Sequence, residues 1–296
     1  MINNRDNDIN IDRNSDRDSD RNRNRDSDID RNSDRNIDRN IDRNDKNMEY
    51  GSQILFLTEA LKGLCLEVPG NKEEGRDKLQ QLLSYYELLV ERNKVMNLTS
   101  ITEFEDVVIK HFIDSLSLCK LMELSRPMRV LDLGTGAGFP GIPLKIMFPQ
   151  LQVTLMDSLN KRIVFLEDVI QELKLEQINA VHGRAEDLAR KPEYRDQFDL
   201  VVSRAVANLS SLSEYCIPFV KKGGFFVAYK SGDVEKEVQE AAYGIKLLGG
   251  KKEQVYQFQL PDTDISRSFV KIKKVMKTPK AFPRKAGLPS REPLHS

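Results

Sequence analysis

Between residues 128 and 141 a short apolar run, Val130-Leu131-Asp132-Leu133, gives way to a turn with glycine at every second position. A run of that length, bounded by turn residues, suits a strand buried on both faces. Gly134, Gly136 and Gly138 let the backbone reverse sharply and approach a ligand with no Cβ in the way. Pro140 suits the first turn of the helix that follows, where no N–H is needed. Further strand candidates lie at 152–156, 178–182, 198–203 and 224–229, and helical runs at 161–175, 209–220 and 234–248 fill the gaps. This alternation predicts an α/β fold, a mostly parallel sheet covered by helices on both faces. Two last strands, 254–260 and 268–275, flank a short Pro261-Asp262 turn region and predict an antiparallel hairpin on one edge, for seven strands in all.

What flanks this core differs from it. Residues 1–47 hold 13 Asp, 12 Asn and 10 Arg but no aromatic, Gly, Pro or Leu, so burial there cannot offset chain entropy and disorder is expected. An RNA-touching arm is the other reading of those arginines, weakened by the interleaved aspartates. Apolar residues at helical spacing over 53–68 and 77–95, with a further pattern over 107–121, predict an N-terminal helical part. Thr102 and Glu105 have capping-box spacing ahead of that last helix. The expected organisation is a leader (1–47), a helical cap (48–126), a Rossmann-like core (127–276) and a basic, Pro-containing tail (277–296).

Composition removes several classes. There is no run of 18 apolar residues and no apolar segment at the start of the kind a secretory signal needs. Cys65, Cys119 and Cys216 are scattered, which offers no disulfide framework and no metal-binding pair, and a reducing cytoplasm fits best. No metal is expected.

The glycine turn admits three readings. A phosphate-binding P-loop requires Lys-Ser/Thr after the glycines, where this chain has Phe139-Pro140. A dinucleotide fingerprint requires a small residue at 139, and Phe139 would crowd a pyrophosphate. The remaining pattern, Gly134-x-Gly136-x-Gly138 after Asp132, is that of the S-adenosylmethionine loop of Rossmann-like methyltransferases. Asp157, at the end of the second strand, is placed to accept hydrogen bonds from two ribose hydroxyls. Ala185 and Glu186, after the third strand, are placed for an adenine edge. Either acid alone could merely cap the helix that follows. Together with the glycine turn they mark one cleft at three successive strand ends.

The run from Val130 to Leu144 resembles the first motif of the RsmG (GidB) family, bacterial 16S rRNA guanine-N7 methyltransferases with the Rossmann-like class I fold. Residues 91–99, 111–116, 156–162 and 202–207 are also similar to that family, and Phe282-Pro283-Arg284-Lys285-Ala286-Gly287-Leu288-Pro289 resembles its C-terminal signature. The resemblance runs from about 53 to 294. It implies S-adenosyl-L-methionine as cofactor, with contacts from Gly134, Phe139, Ala185, Glu186 and Arg204, and methyl transfer to guanine N7 of 16S rRNA or the small subunit by a cytoplasmic protein, expected as a monomer. Arg204 is suited to a carboxylate or a phosphate, or to a structural ion pair.

No cysteine follows a proline and no Asn/Asp-Pro-Pro-Tyr/Phe follows the fourth strand, so the machinery of cytosine C5 and exocyclic-amine methylation is missing. N7 has a lone pair and no proton to lose, so orientation suffices and no catalytic acid or base is assigned. On the substrate side, residues 271–296 carry eight basic residues against Glu292 alone, which predicts a basic extended segment beside the cleft that meets RNA phosphates through Arg284 and Lys285. Lys221, Lys222 and Lys230 are further candidates, Lys230 as a cleft residue. His111 and Asp114, about one helical turn apart, either hold the target base or pack the helical cap. Competing readings are a methyltransferase for another RNA or a small molecule, an NAD-dependent oxidoreductase, and a non-catalytic RNA-binding module.

Overall fold

The computed structural model describes residues 48–66 and 73–294, and the 1–47 leader lies outside them. Residues 1–52 and 53–296 separate into two compact units. The first is described only over 48–52, a helical turn.

The second unit opens with α1 (53–62) and α2 (Glu73–Met96). In α2, Leu79, Leu82, Leu83, Tyr85 and Leu89 are buried, the three- and four-residue spacing of one helix face. The next helix departs from expectation. Thr102 does not cap it. Its carbonyl accepts from the Tyr86 hydroxyl, and Glu103 occupies the cap position without a side-chain bond. Nor is it one regular helix: α3 (Phe104–Val107) widens into a π-helical stretch (Val108–Ile113), then tightens through α4 (Asp114–Leu116) into a 3-10 turn (Ser117–Lys120).

The sheet comprises β1 (Arg129–Leu133), β2 (Gln152–Asp157), β3 (Ile178–His182), β4 (Phe198–Arg204), β5 (Val220–Ser231), β6 (Gly250–Gln259) and β7 (Ser266–Lys274), in the order β3-β2-β1-β4-β5-β7-β6. The first five are parallel; β7 inserts antiparallel between β5 and β6. This is the mostly parallel, seven-stranded Rossmann-like sheet expected, with the hairpin on its edge. Successive residues feed opposite layers. Val130 joins a core with α2, α5 (Gly141–Met147) and α6 (Asn160–Glu172), whereas Leu131 and Leu133 join one with α8 (Leu209–Cys216) and α9 (Glu235–Leu247). The strand order reverses between β1 and β4, and it is there, beyond the carboxyl ends, that such a sheet leaves a crevice.

After β7 the chain does not trail away. Lys274 is buried, its ammonium bonded to Ile217 O and Thr278 Oγ1, and burial pulls its pKa down to about 8 against the Asp196 charge beside it. Arg195 donates to the carbonyls of Thr278 and Phe282, and Arg190 to that of Pro283. The strap ends in the short α10 (Leu288–Arg291), so its prolines do exclude a long helix.

Candidate active site

A cavity of about 580 Å³ opens at the carboxyl ends of β1, β2, β3 and β4. That volume lies within the range of small-molecule sites. Its floor is the glycine turn. The Gly134 and Gly136 backbones have φ of 72° and 63°, the left-handed region that favours glycine. A Cβ on Gly134 would come to 2.5 Å from Val206, while one on Gly136 would meet nothing within 4 Å. Gly136 therefore presents bare backbone to open space. Gly138 does something else. It is not part of the cavity wall, and a Cβ there would strike Ile142 and lie 2.7 Å from the Tyr85 hydroxyl. Its role is to let the turn pack against α2, which corrects its expected place as a contact residue.

Two acids hold this turn. Asp132 is fully buried and accepts from Thr135 Oγ1 at 2.6 Å and Gly141 N at 2.7 Å, leaving Oδ1 without a partner. Burial lifts its pKa to about 6 against those two bonds. Asp157 lies on the wall. Its Oδ2 accepts from Gly136 N (3.0 Å) and Arg162 Nη1 (3.1 Å), and its Oδ1 from Leu159 N (2.9 Å). Three donors fix the carboxylate, and a carboxylate has about four acceptor positions, so one stays available to a ligand. Across the cavity Ala185 and Glu186 open α7 (Ala185–Leu188); Glu186 Oε1 accepts from Gly287 N of the strap at 2.9 Å. Tyr215 of α8 also lines this side.

The opposite wall is built from the irregular helix. His111 stacks on Phe139 with centroids 4.5 Å apart, and the Arg204 guanidinium lies 5.1 Å over the same ring. Arg204 donates to Asp114 Oδ2 (2.9 Å) and Lys110 O (3.0 Å), and its Nη2 meets His111 Nδ1 at 3.2 Å. Burial, then the Arg204 charge, pull the His111 pKa down to about 4, so the imidazole is neutral at physiological pH. Asp114 is buried off the cavity and shared with Arg267 of β7 at 3.0 Å. The structural reading of Asp114 is thus the one the geometry supports, and Arg204 combines an ion pair with a place on the wall. The π-helical stretch brings His111 and Asp114 to one guanidinium.

Other expected substrate contacts lie elsewhere. The Lys230 ammonium is held by Ala207 O (2.8 Å) and Glu237 Oε1 (2.6 Å), outside the cavity wall. Arg284 is clamped by the fully buried Glu214, with Nε reaching both oxygens and Nη2 at 2.7 Å from Oε2. Its Nη2 also donates to Glu292 O, so Nε and Nη2 are both engaged within the protein. Lys221 and Lys222 open β5 and Lys273 nearly closes the antiparallel β7, which sets all three at the amino end of the parallel strands, opposite the cleft. Lys285 is exposed two residues before Gly287, whose N–H bonds Glu186 on the cavity wall. Residues absent from the expectations are Tyr85, whose hydroxyl donates to Ala137 O of the glycine turn, Tyr215 and Thr99. Their separations in sequence carry no signal of a shared site.

Among the described residues no group of three or more His, Cys, Asp or Glu could hold a metal, and no helix is long and apolar enough to cross a membrane.

The family model described as rRNA small subunit methyltransferase G matches residues 78–287. Three curated relatives carry the description ribosomal RNA small subunit methyltransferase G. The protein from Lachnoclostridium phytofermentans is 57% identical over 220 residues, covering 74% of this chain and 91% of the relative. That from Desulforamulus reducens is 52% identical over 238 residues (80% and 97%), and that from Alkaliphilus metalliredigens 48% identical over 234 (79% and 97%). With the glycine turn and its two flanking acids at one sheet crevice, and with matches of this length and identity, the chain belongs to the rRNA small subunit methyltransferase G (GidB) family.

Proposed function

We propose that the protein transfers the methyl group of S-adenosyl-L-methionine to N7 of a guanine in 16S rRNA. The observation that carries this is a cavity with bare glycine backbone on its floor and a carboxylate at each of two neighbouring strand ends, in a chain of this family. Those features fit an adenosyl nucleoside. Asp157, with one acceptor position open, takes a ribose hydroxyl, Glu186 with Ala185 is the adenine contact, and Gly134 and Gly136 give the close backbone approach. Phe139 and Arg204 bound the methyl-donor side, Arg204 as the cation for a carboxylate.

What the cofactor supplies when bound is a methyl group on a positively charged sulfur. Guanine N7 would form the new bond to the methyl carbon with its in-plane lone pair as the carbon–sulfur bond breaks, its electron pair staying on the sulfur and the positive charge passing to the base, and no proton has to leave. The residues therefore bind and orient rather than exchange protons. The neutral His111, stacked on Phe139, gives a flat wall for a base without adding a second cation beside Arg204. Lys285 contributes a phosphate contact beside the cleft. The partner is rRNA, naked or in the small subunit, met in the bacterial cytoplasm by a monomer.

A tritium-methyl transfer assay on undermethylated small-subunit rRNA tests this. Label at guanine N7 is the expected result. S-adenosylhomocysteine binding without labelled RNA would point to a small-molecule methyltransferase instead. Tight NAD binding with no response to S-adenosylhomocysteine would sink the reading.

A further inference from the structure

The hydrogen-bond polarity around His111 singles out a group that the cofactor reading does not use. A guanidinium only donates, so Arg204 Nη2, 3.2 Å from His111 Nδ1, requires that nitrogen to accept. Nδ1 is equally near Lys110 O, but a proton on Nδ1 would set the ring N–H and the Arg204 Nη2 donor against each other. The imidazole proton is therefore on Nε2, which donates to Thr99 Oγ1 at 2.9 Å. Thr99 Oγ1 also accepts from Ile101 N at 3.0 Å. A hydroxyl accepts twice and donates once. Both acceptor positions are filled, so only the O–H is left, on a residue that lines the cavity. The backbone holds it still: Asn93 Oδ1 accepts from Leu98 N (2.7 Å) and Thr99 N (2.9 Å).

A preset donor beside a methylation site reads the acceptor next to the reacting atom. On the edge that carries N7, guanine shows the O6 acceptor, whereas adenine shows an amino donor. We propose that the Thr99 hydroxyl is a base-selecting donor of the site, giving its hydrogen to O6 of the guanine whose N7 is methylated. This rests on the methyl-transfer reading above. An amino group in place of O6 would face Thr99 O–H donor to donor, and the mismatch rejects adenine in the way that polar sites reject analogues with the wrong hydrogen-bonding group. Thr99 reads the base; His111 is the positioning residue that aims it.

The test uses the full-length protein with undermethylated small-subunit rRNA carrying, at the target position, guanine or 2-aminopurine, which keeps N7 and lacks O6. The wild type is expected to lose roughly 10-fold in kcat/KM on the 2-aminopurine RNA, the worth of one good hydrogen bond. Thr99→Val should lose a similar factor on guanine RNA and little more on 2-aminopurine RNA, while Thr99→Ser keeps the preference. Binding of S-adenosylhomocysteine by Thr99→Val should match the wild type. Equal wild-type rates on the two RNAs would overturn the proposal whatever the variant's stability. So would a Thr99→Val loss of equal size on both RNAs, or one that appears in S-adenosylhomocysteine binding. A wild type that methylates neither RNA would instead remove the functional reading beneath it.

Discussion

The cleft and the C-terminal strap both contain an arginine paired to a buried carboxylate, and the two pairs serve different ends. Arg204 shares Asp114 with Arg267, and its guanidinium lies over Phe139 on the cavity wall. Arg284 gives two nitrogens to Glu214, which no other cation among the described residues pairs with, and a further bond to Glu292 O. One arginine belongs to a three-member network that tolerates a loss and faces a ligand space. The other is a fastener. A charge in a functional motif thus says little about use until its donors have been counted against the acceptors around it.

The largest effect that would test this contrast is on stability. Arg284→Ala should leave Glu214 charged and unpaired in the core, at a cost of about 3–5 kcal/mol, read as a drop in the urea midpoint. Arg204→Ala should cost far less, about 1 kcal/mol, because Arg267 still neutralises Asp114. It should instead lower kcat/KM on the order of 100-fold through lost positioning. Similar stability losses for the two variants would break the comparison.

A second effect follows from the two titrating groups of the cleft. Asp132, raised to about 6, contributes stability that is present below its unfolded pKa near 4 and is lost as pH rises through 6. His111, lowered to about 4, has the opposite slope, since its contribution is present above the unfolded pKa near 6.5 and is lost as pH falls towards 4. The two oppose each other between pH 4 and 6. His111→Gln should expose the Asp132 slope, so that relative to wild type the variant gains on the order of 2 kcal/mol from pH 6 to 4. Chemical denaturation across that range checks the sign, and a parallel pair of curves would contradict it.

Smaller again is the contrast between lysines. Lys285→Gln beside the cleft should reduce the salt slope of RNA binding by about 0.7–0.9, one phosphate contact. Lys273→Gln, at the other end of the sheet, should leave it unchanged. Equal changes would move the RNA path to the hairpin base. Removing residues 1–47 should have the least effect, leaving methyl transfer intact; a large loss would give the leader a role.

Much of the fold is legible in the sequence. The starts of β2, β4 and α8 fall where the apolar pattern sets them, because a strand buried on both faces needs a continuous apolar run and the turns between need glycine or polar residues, and the edge strand Ile178–His182, none of whose residues is fully buried, keeps its expected bounds. The insertion of β7 between β5 and β6 was not legible, since an edge hairpin has the same pattern in either order. The start of the irregular helix was misread because Thr102 had the right side chain but had its carbonyl taken by a tyrosine from α2. At the site, the glycine turn, Asp157 and Glu186 were visible as a local motif at each strand end. Tyr215, Thr99 and the partners of Arg284 and Lys230 were not, because they meet far along the chain, Arg284 and Glu214 across 70 residues, or sit, like Glu237, at positions of ordinary composition.

By itself the sequence determined the periodicity, the three glycines and the order of the acids, hence a parallel sheet with a nucleoside crevice at its reversal point. Such features are local, fixed by backbone sterics and by which side of a strand a residue faces. Only the tertiary structure decided which charges remain available, because a lysine or arginine can satisfy itself on any acceptor that folding brings within 3 Å. The eight cations from Lys271 onward look alike along the chain. Folding sends Lys274 into the core and Arg284 onto Glu214 and leaves Lys285 exposed beside the cleft.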